Sequence, residues 1–99
     1  MITVGKKIRY LRKQQHMTQK QLGLAVGFSE STADIRIAQY EYGARAPKAQ
    51  LLHRIAAVLE VDPIVLSVDI PETEEEWEVV EYWMERYSSI HHEIEHGQK

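Results

Sequence analysis

Gly27, Gly43, Pro47 and Pro63 break up the first 68 residues of this chain, and each piece between them carries a helical period. A helix crossing such a residue loses a backbone hydrogen bond or backbone entropy, so the pieces can only be short helices. Strands are not indicated: apolar and polar residues never alternate for long, and no Asn-Gly or Asp-Gly hairpin turn occurs. The expected fold is all-α, with five helices in residues 1–68 and one further helix after a linker.

The first helix is expected from about Val4 to Gln15. Thr3 can cap it, Val4, Ile8 and Leu11 share one face, and Lys6, Lys7, Arg9, Arg12 and Lys13 occupy much of the rest. The second opens with Thr18-Gln19-Lys20-Gln21, a capping box, carries Leu22, Ala25 and Val26 inward, and stops at Gly27. The third ends near Tyr42, with Gly43 beyond it. Ser31 with Asp34 can cap its start. Pro47 suits the first position of the fourth, which buries Leu51, Leu52, Ile55, Ala56 and Leu59. Asp62 and Pro63 start a short fifth helix through Leu66.

Residues 67–72 read as a linker, and Thr73 with Glu76 forms a second capping box. The helix that follows runs to about His96 with the stripe Trp77, Val80, Trp83, Met84, Tyr87, Ile90 and Ile94. Surplus aromatic surface of this kind usually marks an interface, so residues 69–99 are expected to form an acidic amphipathic dimerisation helix. Docking of its acidic face on the basic front of the same chain is the alternative. Charge divides at the same place. Residues 1–68 carry a balance of +5 and residues 69–99 a balance of −8. A basic front suits a polyanion, which would repel the acidic part.

Several functions are excluded or made unattractive. Without cysteine there is neither a disulfide framework nor a thiolate metal site. The start has no apolar signal core and no run approaches ~18 apolar residues, so a cytoplasmic protein away from membranes is expected. His92-Glu93-Ile94-Glu95-His96 spells the H-E-x-x-H pattern of zinc proteases. With Val80, Tyr87 and Ile94 at heptad position a, and Trp83 and Ile90 at d, His92 falls at f and His96 at c. Both lie away from the apolar stripe, where this chain alone builds no pocket. No catalysis, metal site or cofactor is expected. A metal-dependent hydrolase would instead need stoichiometric zinc and a requirement for Glu93.

The spacing of the anchors in residues 4–67 resembles the Cro/lambda-repressor type of helix-turn-helix, the XRE family. The anchors are the basic first helix, Thr18-Gln19, Leu22, Gly27, Tyr40-Glu41-x-Gly43, Arg45, Pro47 and the spacing of Leu52, Ile55-Ala56 and Leu59. The resemblance implies a five-helix lambda-repressor-like DNA-binding domain in a homodimeric transcriptional regulator, a repressor that reads its operator with the third helix in the major groove. It also implies a phosphate contact for Gln19. Gly23 stands where the family commonly shows Ala, and a small residue there allows two helices to approach closely. The chain departs from the family between Gly27 and Glu41, where it is about three residues longer, so residues there are assigned from helix geometry.

On a helix ending at Glu41, Ala33, Ile37 and Tyr40 share the face that must pack inward. Thr32, Ile35, Arg36, Gln39 and Tyr42 then face outward. Thr32, Ile35, Arg36 and Gln39 are the candidate base contacts: Arg pairs with guanine, Gln with adenine, and an apolar group meets a thymine methyl. Arg36 could equally hold a phosphate, and Ile35 could fill the core. Tyr42 could instead pack on the fourth helix. Lys6, Gln19, Tyr42, Arg45 and Lys48 are the candidate phosphate contacts. A second reading is an antitoxin-type regulator whose acidic last helix binds a partner protein.

Overall fold

Five α-helices and no β-strand make up the described part of the chain, which in this computed structural model is residues 2–67 and Glu78 alone beyond them. They are α1 (Val4–Gln14), α2 (Gln19–Ala25), α3 (Ala33–Glu41), α4 (Ala49–Leu59) and α5 (Pro63–Ser67). The expected last helix, its stripe Trp77, Val80, Trp83, Met84, Tyr87, Ile90 and Ile94, and the His92–His96 pair lie outside the described residues.

Local chemistry sets most of the boundaries. The Thr3 hydroxyl accepts from the Lys6 N–H at 3.3 Å and starts α1. The capping box of α2 is complete: the Thr18 hydroxyl accepts from Gln21 N at 3.0 Å, and Gln21 Oε1 accepts from Thr18 N at 2.8 Å. Asp62 Oδ1 accepts from Ile64 N at 3.0 Å at the start of α5. Two expected starts differ. α4 begins at Ala49 rather than at Pro47: Lys48 is its cap, its carbonyl takes the first helical bond, from Leu52 N at 2.8 Å, and its own backbone is extended at ψ 165°. At α3 the cap position is Thr32, with no side-chain cap bond. Asp34 Oδ1 accepts from Ile35 N, and the Ser31 hydroxyl pairs with Ser29, so the expected Ser31–Asp34 cap does not form.

The core gathers Ile8 and Leu11 of α1, Leu22 and Val26 of α2's side, Ile37 of α3, Ile55, Ala56 and Leu59 of α4, and Val61, Val65 and Leu66 around α5. Ile2, ahead of α1, joins them. Each fully buried aliphatic side chain of this size contributes about 1.5–3 kcal/mol. Leu51 and Leu52 stop half-buried at the edge of this core. The basic side of α1 is narrower than its sequence suggests, because Lys7 and Arg12 point inward. Lys7 is fully buried and donates from Nζ to the Val65 carbonyl at 2.8 Å, which ties α1 to α5.

α3 lies almost backbone-to-backbone on its neighbours. A Cβ placed on Gly5 would stand 2.3 Å from the Tyr40 carbonyl oxygen, and one on Gly23 would stand 2.5 Å from the Ala33 carbonyl oxygen. The expected close approach at Gly23 is therefore present, and Gly5 provides a second one at the other end of α3. Alanine would normally favour a helix over glycine by about 1 kcal/mol. Here Gly5→Ala and Gly23→Ala are each expected to destabilise the fold by about 1–3 kcal/mol, because the obstacle is backbone and cannot swing aside. Urea unfolding of each variant checks this, and an unchanged or raised midpoint would show that α3 has room to move.

Candidate nucleic-acid interface

The last residue of α3 is held by a buried ion pair. Arg12 of α1 donates to Glu41 from Nε at 2.6 Å and from Nη2 at 3.1 Å, and its Nη1 donates to the Met17 carbonyl at 2.8 Å. Gln19 of α2 adds a third bond to the same carboxylate, Nε2 to Oε1 at 3.0 Å. Glu41 thus ties α3 to α1 and to the first turn of α2, with its side chain fully out of solvent.

Clamped in this way, α3 buries Ala33, Ile37 and Tyr40, the face expected to pack inward. The opposite side is open. Ile35 is 57% exposed and Tyr42 76% exposed, so neither Ile35 in the core nor Tyr42 packed on α4 describes the fold. Thr32 and Asp34 are also exposed, while Arg36, Ala38 and Gln39 are half-buried along the flanks. Arg36 does not extend freely. Its guanidinium lies over the Phe28 ring, 4.6 Å from the centroid, and donates to the Tyr40 hydroxyl at 3.2 Å.

Two open hollows flank this helix. One, of about 510 Å³, lies between the start of α1 and the α3–α4 connection, and Lys6, Arg9, Tyr42 and Arg45 line it. The other, of about 530 Å³, lies between α3 and α4, with Arg36, Arg45, Lys48 and Arg54 over Phe28 and Tyr40. Arg45 lines both. Among the described residues, the only carboxylate bordering the first is Glu41, already paired with Arg12, and none borders the second. Cations converging on a concave surface attract an anion, and the fields add where the wall is apolar.

The fold therefore brings together four of the five candidate phosphate contacts, Lys6, Tyr42, Arg45 and Lys48, beside the exposed face of α3. Gln19 stands apart at the start of α2 with one amide N–H committed to Glu41, which leaves its second N–H and the helix-terminal backbone donors. Arg9 and Arg54 join the hollows although their positions in sequence do not single them out: Arg54 is five residues into α4, on a helix read only for its apolar face. Phe28 also goes unread as a site residue. It belongs to a turn, and nothing in its neighbours announces that it will meet Arg36. Among the described residues no three His, Cys, Asp or Glu side chains gather as a metal-holding group, and no helix is long and apolar enough to cross a membrane.

Comparison with known proteins agrees with this geometry. A family model described as helix-turn-helix matches residues 8–66. An uncharacterised HTH-type transcriptional regulator of Sinorhizobium fredii, y4aM, is 35% identical over 71 residues, covering 72% of this chain and 47% of the relative. The chain thus spans about half the length of that relative. The crystal structure of transcriptional regulator BswR superposes with a TM-score of 0.71 at 30% identity, over 82% of this chain and 74% of that one.

The clamp on α3 makes a sharp mutational prediction. Arg12→Ala strands a fully buried carboxylate and is expected to cost about 3–5 kcal/mol, whereas replacing both partners with apolar residues, Arg12→Met with Glu41→Leu, should recover much of that loss. Chemical denaturation of the two variants measures the difference. A loss below about 1 kcal/mol for Arg12→Ala would mean that Glu41 finds solvent or another partner.

Proposed function

The chain belongs to the helix-turn-helix family of DNA-binding transcriptional regulators, and we propose that it acts as a repressor, a homodimer that reads its operator with α3 in the major groove. The observation that carries this reading is the open face of α3 set between two cation-lined hollows. A helix can enter the major groove only if its outward residues are free to meet base edges and the protein around it can grip the flanking backbone. Thr32 and Ile35 are exposed and Gln39 is half-buried on the flank; in this reading Ile35 meets a thymine methyl and Gln39 turns outward to meet adenine. Lys6, Tyr42, Arg45 and Lys48 stand at the backbone, together with Arg9. Gln19, at the first position of α2, approaches a phosphate with the free donors of that helix end.

Selection of bound duplexes from a random pool tests the reading directly. If each half-site neutralises about 3–5 phosphates, log affinity should fall with log salt at a slope near −0.9 per phosphate. Gln39→Ala should change the selected sequence at one position, with about 1–3 kcal/mol of discrimination lost, while Lys48→Ala should weaken all sequences alike. Binding that ignores salt, or no duplex recovered at all, would rule out a DNA reader.

The dimer would be built by residues 69–99, whose apolar stripe Trp77, Val80, Trp83, Met84, Tyr87, Ile90 and Ile94 is too large to leave in water. Two-fold pairing would set two reading helices about 34 Å apart, one turn of DNA. Sedimentation of the full chain should then show a dimer. A chain ending at Asp69 should sediment as a folded monomer with weaker operator binding. A monomeric full chain that co-purifies with a second protein would favour the antitoxin-type reading, in which the acidic segment serves a partner.

A further inference from the structure

Resting on the DNA reading above, we propose that Phe28 is a positioning residue that holds Arg36 as a ligand of the DNA backbone and keeps it out of the base-reading set. On α3, Arg36 lies four residues before the buried Tyr40, on the same side of the helix and well away from the exposed Ile35. Its guanidinium carbon is 4.6 Å from the Phe28 centroid and 6.0 Å from that of Tyr40, and the two rings stack at 6.4 Å and 18°. The bond from Nη2 to the Tyr40 hydroxyl fixes the remaining rotation of the group. A guanidinium held by two ring faces and a hydroxyl has little freedom to swing toward a base edge.

The held group opens into the hollow it shares with Arg45 and Lys48. Among the described residues no carboxylate lines that hollow, and Arg54 on its far wall is drawn toward the Val26 carbonyl at 3.3 Å. The cations therefore repel one another until an anion enters. Arg36 Nε is buried without a hydrogen-bond partner, so the group is not fully satisfied within the protein. The ligand class that fits is a phosphate, as the diester of DNA or as a free ion. Phe28 reaches this place through the turn between α2 and α3, where its N–H donates to the Gly23 carbonyl at 2.9 Å.

The test uses the full chain and the duplex that it selects. Arg36→Ala should leave the selected motif unchanged, weaken every duplex about tenfold, and reduce the salt slope by about one. Phe28→Leu and Arg36→Lys retain the charge and lose the stacking, so each should weaken binding about fivefold with the slope preserved. Phe28→Leu should have no further effect on binding in the Arg36→Ala background, a coupling that a merely structural Phe28 would not produce. Circular dichroism identifies any variant that has lost its fold, and Arg36→Lys, which leaves Phe28 in place, then decides alone. A change of selected motif in Arg36→Ala, wild-type affinity in Arg36→Lys, or an undiminished effect of Phe28→Leu in the Arg36→Ala background overturns the proposal while DNA binding stands. Failure of the wild type to select any duplex overturns both. Titration of the chain with inorganic phosphate separates the two sources: competition only at millimolar concentrations or above assigns the site to the DNA backbone, and micromolar competition that depends on Phe28 assigns it to a free ion, which overturns the backbone role.

Discussion

The bidentate pair between Arg12 and Glu41 is the contact on which the arrangement of helices turns. Buried ion pairs add little stability over a well-packed apolar pair, because both charges must leave water. Their value lies in direction: a planar guanidinium donates to a carboxylate in few orientations, whereas an apolar contact tolerates sliding. Arg12 sits in the last turn of α1, Glu41 closes α3, and Gln19 opens α2. Three helix ends from different parts of the chain therefore converge on one carboxylate, and the outward face of α3 is set by where that carboxylate must lie.

Close backbone contact completes what the ion pair begins. Gly23 admits the start of α3 and Gly5 admits its end, so α3 is seated at both ends, with Ile37 packed into the core between them. A helix seated in this way loses few degrees of freedom when its outer side chains meet a ligand, so little affinity is spent on ordering it. The α3–α4 connection depends on the same seat. Ala44 N and Arg45 N both bond back to the Gln39 carbonyl, which brings Arg45 to the ridge between the two hollows.

The charge of the front part of the chain divides by use. Lys7 and Arg12 are spent inside, on a carbonyl and on a carboxylate, and contribute to architecture. Arg9, Arg45, Lys48 and Arg54 border the hollows, where no free carboxylate of the described residues opposes them. A net balance of +5 over residues 1–68 counts both groups alike, although only the second is presented to a polyanion.

By itself the sequence determined the helical class, the capping box at Thr18, the stops at Gly27 and Gly43, and the inward face of α3 at Ala33, Ile37 and Tyr40. These follow from periods and end signals that act over three or four residues, so they can be read along the chain. Tyr42 and Arg45, which line the hollows, were legible as neighbours of the Tyr40-Glu41-x-Gly43 and Pro47 spacing, which resembles a known pattern. Only the tertiary structure decided which basic residues turn inward, since Lys7 and Lys6 are indistinguishable until Val65 arrives from 58 residues away. Only it brought Phe28, in the connection between α2 and α3, beneath Arg36. The physical reason is range: caps and periods are local, whereas a buried ammonium, a stacked guanidinium and a shared hollow depend on which distant backbones the core brings within a few ångströms.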